Sequence, residues 1–255
     1  MTLPFDELNS LGTLILENAV ETTADGVKKL NADKCCDIIL DYLIYCYVMG
    51  VDNANEMLFT SFVPQTEEMN RVIYERVEGK NFEERVREYA EQSAEPERRE
   101  GGGTPPSGGL TPPTAPTAPT GGGKITPPSV NPSGGAPTGA GEITVPPVIP
   151  GGDIDFVPEI PGDILYDILR VARTEAHRIV NRAAFDTARK AGAGWKTWNC
   201  LLLPTSRDTH IDLNGTTLRL NEYFVTLAGN AALYPGSFGA ASEDVNCLCY
   251  LTFEM

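Results

Sequence analysis

The sequence is poor in residue types on which many enzymes and nucleic-acid-binding proteins depend. It has two histidines, and its 20 lysines and arginines are outnumbered by 35 aspartates and glutamates. Because only His177 and His210 could act as imidazole bases, a catalytic Ser-His-Asp triad is hard to assemble. The net charge of −15 opposes binding to duplex DNA, since phosphate binding depends on an excess of lysine and arginine.

Long apolar runs are also missing. The longest, residues 43–51, is far shorter than the roughly 20 residues that a membrane-spanning helix needs. The first 20 residues carry Asp6, Glu7 and Glu17 without a basic segment, so we expect neither a secretory signal nor a membrane partner. These features predict expression in a reducing host cytoplasm, where the six cysteines would not form a disulfide framework.

Glycine and proline are abundant, but they are concentrated in one segment. Residues 101–162 contain 15 glycines and 15 prolines, and this density opposes a packed core. We therefore predict a disordered Pro/Gly/Thr-rich linker over residues 93–161, between a helical module of residues 1–92 and a C-terminal module of residues 162–255. We expect this linker to tether the two modules rather than dock them.

The spacing of apolar residues predicts an α+β fold. Residues 1–92 show the three- and four-residue spacing of amphipathic helices, including one helix that ends at Gly50 and another over residues 52–61. A long helix is predicted over residues 162–191, followed by a small antiparallel sheet. The strands or hairpins of that sheet are predicted at residues 195–203, 211–220 and 245–253.

One group of side chains stands out as candidate metal ligands. His210 follows the first predicted strand, and Cys247 and Cys249 share one side of the last. Thiolate and imidazole are ligands that zinc prefers, and Cys200 or Asp208 would supply a fourth. An alternative interpretation without a metal also fits the sequence. In it, the cysteines are core residues and a hydrogen bond between the histidine and the aspartate holds a loop. The sequence also leaves open a metal-dependent hydrolase, or toxin-like enzyme, that uses the same residues.

The C-terminal module also contains an ordered series of short motifs. They are Arg173-Thr-Glu-Ala-His177 with Asn181, Lys196-Thr-Trp198, Arg207-Asp-Thr-His210, Leu213-Asn-Gly215, Glu222-Tyr-Phe224, Tyr234-Pro-Gly236 and Asn246-Cys-Leu-Cys249. In order and spacing the series resembles the phage Mu F-like minor head protein domain, and residues 81–89 resemble a stretch that commonly precedes it. Leu203, Pro204 and Leu248 differ from the residues that are common at these positions in the family. The resemblance therefore gives less support to an enzymatic role for this chain.

The resemblance implies a non-enzymatic role in head morphogenesis at the portal vertex, for a phage or prophage minor capsid protein that influences DNA packaging or ejection. The implied partners are the portal protein and the major capsid or scaffolding protein, on which the helical module would dock. Packaged DNA is not supported as a partner by the acidic charge. The implied location is the procapsid or virion, after assembly in the host cytoplasm. A proline-rich adaptor for another partner is a third hypothesis.

Overall fold

Helices dominate the first part of the chain, and short antiparallel strands dominate the last. The structure, a computed structural model, describes residues 6–94, 160 and 162–255. In chain order its elements are α1 Asp6–Asn18, β1 Val20–Thr22, β2 Lys28–Leu30, α2 Ala32–Leu58, α3 Thr66–Ile73, α4 Phe82–Gln92, α5 Gly162–Ala191, β3 Trp195–Asn199, α6 Asp208–Ile211, β4 Thr217–Arg219, β5 Phe224–Val225, β6 Ala231–Ala232, α7 Ala241–Asp244 and β7 Tyr250–Glu254. Helices combined with small antiparallel sheets make an α+β fold, as the sequence predicted.

The two longest helices, α2 and α5, pack closely against each other. Gly50 allows the close approach, because a Cβ atom at this position would lie 2.4 Å from the Val180 carbonyl oxygen and 2.8 Å from Ala183 Cβ. The prediction that one helix ends at Gly50 and another spans residues 52–61 is wrong, since α2 is continuous to Leu58. The absence of a side chain at Gly50 therefore allows α5 to cross α2 at this point, and it does not mark the end of a helix.

Residues from both ends of the chain form one hydrophobic core. Its buried members include Ile15, Ile39, Leu43 and Val86 from the first part and Ile164, Ile168 and Ile179 from α5. The expectation that the two parts are tethered rather than docked is therefore wrong, because α2 and α4 cover the wide apolar face of α5. A division of labour between a helical module and a C-terminal module stays a prediction.

Helix ends follow local signals in the sequence. The Asn81 side chain accepts a hydrogen bond from the Glu84 backbone at the start of α4, and the Glu84 side chain accepts one from the Asn81 backbone. This reciprocal pair is a capping box, and it satisfies two backbone N–H groups that the helix leaves without partners. At the other end of the core, Gly192 takes a φ of 81° directly after α5, a conformation that favours glycine.

A three-stranded antiparallel sheet in the order β4-β3-β7 packs on the C-terminal end of α5. Trp195 in β3 pairs with Arg219 in β4 on one side and with Glu254 in β7 on the other. The predicted hairpin over residues 211–220 is wrong, because β4 pairs with β3 and the chain between them forms α6 and a turn at Gly215. The last strand is shorter than predicted and begins at Tyr250, so the two cysteines of the last motif precede it.

Most of the predicted linker lies outside the described residues. Within the described part, Ser93 and Ile160 are buried, and the Ser93 hydroxyl accepts a hydrogen bond from the Leu30 backbone N–H at 2.8 Å. These two ends of the predicted linker therefore belong to the folded unit. Among residues 6–94 and 162–255, no helix combines the length and the hydropathy that crossing a bilayer requires.

Candidate metal centre

Three of the predicted ligands converge in the C-terminal part of the fold. The Sγ atoms of Cys247 and Cys249 each lie 3.5 Å from Nδ1 of His210. The three donor atoms all lie within 4.8 Å of one another, and each of the three residues is only 2% exposed. The structure thus brings together residues that are 37 and 39 positions apart in the chain. That they hold a metal stays a prediction.

Local backbone geometry positions these side chains. His210 lies on the short helix α6, while the cysteines occupy the segment between α7 and β7. Asn246, directly before Cys247, has a φ of 56°, in the left-handed region that asparagine tolerates better than most residues. The Arg207 guanidinium donates a hydrogen bond to the Val245 carbonyl oxygen and so ties the two segments together.

A buried carboxylate holds the other side of the imidazole. Nε2 of His210 lies 3.1 Å from Oε2 of Glu243, in an ion-pair contact, and Glu243 is 4% exposed. The carboxylate also accepts hydrogen bonds from Thr209 Oγ1, Thr226 Oγ1 and Asn230 Nδ2 at 3.0, 3.4 and 3.1 Å. Burial alone would raise the pKa of Glu243, but the hydrogen bonds and the charge of His210 outweigh it and lower the pKa. No local pattern links Glu243 to the motif around residue 210, so the sequence did not indicate this residue.

The cluster favours thiolates at Cys247 and Cys200. Burial alone would raise the pKa of Cys247, but hydrogen bonds with Cys249 and His210 outweigh it and lower the pKa. A hydrogen bond from Cys249 is the main reason that the pKa of Cys200 falls to about 5, and the same hydrogen bond raises the pKa of Cys249. Burial opposes the imidazolium form of His210, yet its contact with Cys247 raises its pKa. Thiolates beside an imidazole are suited to metal binding or to nucleophilic chemistry.

The two candidates for a fourth ligand differ in position. Cys200 follows β3 and lines a cavity of about 30 Å³ together with the three converging residues. Its sulfur also lies 3.6 Å from Ser206 Oγ. Asp208 is an exposed residue at the start of α6, and within the described part of the chain its carboxylate does not join the cluster. Neither sulfur nor carboxylate of these two residues belongs to the group of three donor atoms, but Cys200 lines the cavity beside that group and Asp208 does not.

Aromatic side chains and the second histidine surround the cluster. The Trp198 and Phe238 rings have their centroids 5.7 and 5.5 Å from that of His210. His177 lies on α5 and is 2% exposed, and burial lowers its pKa. The Asn181 amide lies 3.2 Å from Nε2 of His177 and donates a hydrogen bond to the Cys249 carbonyl oxygen. Both histidines of the chain therefore belong to one buried polar region.

Lys196 is a second buried polar residue, and its chemistry was not apparent from the sequence. It is fully buried, its ammonium group donates a hydrogen bond to the Leu233 carbonyl oxygen at 2.7 Å, and burial lowers its pKa to about 8. The ammonium group also lies 5.1 and 5.0 Å from the ring centroids of Phe185 and Phe224. The alternation of side chains along β3 could have indicated that Lys196 is buried, because Lys196 lies on the same face of the strand as Trp198.

A larger cavity of about 400 Å³ is lined by α4, α5 and the segment before α4. Its positive charges are neutralised by nearby carboxylates, in the pairs Lys80–Glu88, Arg85–Glu175 and Arg170–Asp167. Each of these three cations is therefore balanced by one carboxylate. The cavity therefore has the size of a small-molecule site but not the charge of a phosphate site.

Comparison with known proteins gives two partial similarities. Over 85 residues, 32% of its length, the chain is 39% identical to NAD(+)–arginine ADP-ribosyltransferase EFV of Enterococcus faecalis, of which 17% is covered. Over 85 residues, again 32% of its length, it is 32% identical to the minor head protein GP7 of Bacillus phage SPP1, of which 28% is covered. The chain thus matches less than a third of either protein. No family model and no solved structure matches it. The similarity to GP7 supports a phage head protein, whereas membership of the Mu F-like family stays a prediction.

Proposed function

We propose that this chain is a minor head protein of a phage or prophage and that it acts in head morphogenesis at the portal vertex. The similarity to GP7 carries the proposal. The proposed role is structural, with the first helices docking on the portal or another capsid protein and most of residues 93–161, without their buried ends, serving as a linker. The proposed location is the procapsid or virion.

The surface of the helical part supports a docking role. Phe59 is 97% exposed and Val63 is 71% exposed, in the segment directly after α2. The Asn55 side chain holds this segment through hydrogen bonds with the Thr60 hydroxyl and with the backbone N–H and carbonyl of Phe62. Exposed apolar side chains on a backbone held in this way present a pre-ordered surface to a partner, so less conformational entropy is lost on binding.

The burial of the reactive groups supports a non-enzymatic role. The thiols and imidazole of the candidate metal centre line a cavity of about 30 Å³, which has the volume of a single water molecule. His210, Cys247 and Cys249 are each only 2% exposed, so a substrate would have little access to them without a rearrangement of the surrounding loops. Buried, ordered donors of this kind are suited to holding a fold together.

The proposal is tested with the full-length chain, because α5 shares its core with the preceding helices and the separated parts would expose that core. We expect the chain to be found by mass spectrometry in purified phage particles and to co-purify with the portal protein. The variant Phe59→Ser/Val63→Ser is expected to reduce portal recovery at least fivefold. The control Leu227→Ser removes an exposed apolar side chain from the C-terminal part and is expected to retain portal binding.

Two results would overturn the assignment. Absence of the chain from particles and procapsids would exclude a head protein. Loss of portal binding in Leu227→Ser, with normal binding in Phe59→Ser/Val63→Ser, would move the docking surface to the C-terminal part.

ADP-ribosyl transfer is a second candidate function, favoured by the 39% identity to the Enterococcus faecalis enzyme. Against it, the cations that line the 400 Å³ cavity are already paired with carboxylates, so the cavity lacks free charge for a pyrophosphate. We expect no transfer of label from NAD to arginine-containing acceptors by the purified chain. Transfer that scales with chain concentration would replace the structural proposal.

A metal-dependent hydrolase is another alternative. It would use His210, Asp208 and the two neighbouring cysteines, but Asp208 is exposed and outside their cluster. We expect the full-length chain, supplied with zinc, to leave DNA and nucleotides intact. Hydrolysis that disappears in His210→Ala would favour the enzyme.

A further inference from the structure

We propose that Cys200, His210, Cys247 and Cys249 bind one zinc ion in a closed structural site, with His210 coordinating through Nδ1. The proposal goes beyond the role in head assembly and does not depend on it. It rests on the convergence of donor atoms, on the cavity that they line, and on the carboxylate behind the imidazole.

The separations between donor atoms fit a tetrahedral ion. Zinc–sulfur and zinc–nitrogen bonds of about 2.3 and 2.05 Å, at a tetrahedral angle, put the two donor atoms about 3.5 Å apart. The Sγ atoms of Cys247 and Cys249 each lie 3.5 Å from Nδ1 of His210. Both sulfur–nitrogen separations therefore match without any movement of the side chains.

Hydrogen bonding alone explains this arrangement less well. A ring nitrogen carries either one hydrogen or one lone pair, so it makes one well-directed hydrogen bond in the ring plane. Here the sulfurs of both Cys247 and Cys249 approach the same Nδ1 atom of His210. An ion shared by the three donor atoms accounts for both contacts at once.

Cys200 is the residue placed to complete the site. It lines the cavity of about 30 Å³ that the other three ligands share, and because its sulfur lies outside their group of donor atoms, its side chain would turn toward them on binding. A space of this size is sufficient for one ion. Three thiolates and one imidazole form a donor set typical of structural zinc sites.

Glu243 lies beside the ring nitrogen of His210 that coordination through Nδ1 leaves free. Histidine ligands of metals usually present their second ring nitrogen to a carboxylate or carbonyl, which fixes the tautomer and raises the basicity of the ligand. Oε2 of Glu243 lies 3.1 Å from Nε2 of His210, and Thr209, Thr226 and Asn230 hold the carboxylate in place. Glu243 is thus a positioning residue for the proposed zinc.

The site would join three segments that lie far apart in the sequence. Cys200 follows β3, His210 lies on the four-residue helix α6, and the two cysteines precede β7. The strands of this part are two to five residues long, so the sheet alone provides few hydrogen bonds. A bound ion converts its binding free energy into stability of such a small assembly.

The first test measures metal in the full-length chain purified under reducing conditions. We expect about one zinc per chain by elemental analysis and, after exchange, the intense visible absorption of tetrahedral cobalt bound to thiolates. Removal of zinc by a chelator is expected to change the fluorescence of Trp198, whose ring lies 5.7 Å from that of His210. A chain that contains no stoichiometric zinc and gives no tetrahedral cobalt spectrum overturns the proposal.

Variants separate the roles of the individual residues. Cys200→Ser, Cys247→Ser and Cys249→Ser are each expected to weaken zinc binding at least 100-fold, and Glu243→Gln is expected to weaken it 10- to 100-fold. Asp208→Asn and Cys35→Ser are matched controls that should keep full zinc content. Full binding in Cys200→Ser, or loss of binding in Asp208→Asn, would overturn the assignment of the fourth ligand. These binding measurements do not require portal binding or particle assembly, so they stand apart from the proposed function.

A disulfide is the competing explanation for the paired sulfurs. Mass analysis of the alkylated chain distinguishes the two, because a disulfide lowers the mass by about two hydrogens and resists alkylation before reduction. We expect all six cysteines to be alkylated after chelation and unfolding without a reductant. A bridge between any two of the cysteines proposed as ligands would overturn the zinc site.

Discussion

The six cysteines form two sets that differ in their surroundings. The first set, Cys35, Cys36 and Cys46, lies on α2 in the helical core. The second set, Cys200, Cys247 and Cys249, lies around His210. Burial raises the pKa of Cys35 to about 12, whereas the hydrogen bond with Cys249 lowers that of Cys200 to about 5. The chemistry of a cysteine is therefore decided by its neighbours, because burial beside apolar groups and burial beside donors act in opposite directions.

The two cores that contain these cysteine sets also differ in how many polar side chains they bury. Around α2 the buried side chains are mostly apolar, and packing of long helices determines the structure. Around the small sheet the buried side chains include Lys196, His210 and Glu243, each with a specific partner. The helical core should therefore tolerate the loss of one sulfur, and the sheet core should not.

The largest expected effect comes from a matched pair of substitutions. Cys249→Ala removes one ligand of the proposed zinc site, and we expect it to lower the free energy of unfolding by about 4 kcal/mol in zinc-loaded protein. Cys35→Ala removes one sulfur from an apolar core and is expected to cost about 1 kcal/mol. Denaturant unfolding of both variants measures the difference. Equal losses would mean that the two cysteine sets have the same structural role.

The helical core has its own sensitive position at Gly50. A Cβ atom there would meet the Val180 carbonyl oxygen at 2.4 Å, and backbone atoms can move only by separating α2 from α5. We expect Gly50→Ala to cost about 1–3 kcal/mol, although alanine favours the helix by about 1 kcal/mol. Thermal unfolding checks this. The double variant Gly50→Ala/Ala183→Gly relieves one of the two clashes and should recover only part of the loss; a stabilised Gly50→Ala protein would contradict the close crossing.

Local features of the fold could be predicted from the sequence. The long helix that ends before Gly192 was predicted correctly, because its apolar spacing and the glycine after it are signals within one or two turns. Gly50 was misassigned, since a glycine inside a helix crossing and a glycine after a helix have the same local signal. Only the partner helix α5 distinguishes the two cases.

The candidate site shows the same limit. His210, Cys247 and Cys249 could be selected because zinc prefers their donor types, but their meeting depends on how β3, α6 and β7 fold together. Glu243 was missed because it lies in an acidic segment of ordinary composition. Asp208 was selected for its place next to the histidine motif, and helix α6 leaves it exposed. Sequence spacing thus identified the donor types better than the neighbours that orient them.

Lys196 provides a pH-dependent test of the polar core. Its pKa is about 8 in the folded chain, below the value of about 10.4 expected in the unfolded chain, so between these pH values the unfolded chain binds more protons. Stability from this group should therefore rise as the pH increases from 8 to 10.4, by at most about 3 kcal/mol. The measurement is the difference in unfolding free energy between the wild type and Lys196→Met at each pH.

Other groups also titrate in this range, and the difference between the two proteins removes their contribution. Lys34→Met, which replaces a lysine that is half exposed, is the control for loss of a lysine as such. A wild-type minus Lys196→Met difference that does not change with pH would contradict the buried, hydrogen-bonded ammonium group.

The smallest expected effect tests whether the helical part is independent of the proposed zinc. Asn81→Ala removes one half of the capping box at the start of α4 and should cost about 1 kcal/mol, while Asn81→Asp keeps an acceptor and should cost less than about 0.5 kcal/mol. Because this cap satisfies backbone groups within a single helix turn, its contribution should be the same before and after chelation. The cost of Cys249→Ala, in contrast, should largely disappear once zinc is removed. If the cost of Asn81→Ala also changed with chelation, the ion would stabilise the whole folded unit, and the contrast between a packing-dominated core and a ligand-dominated core would no longer hold.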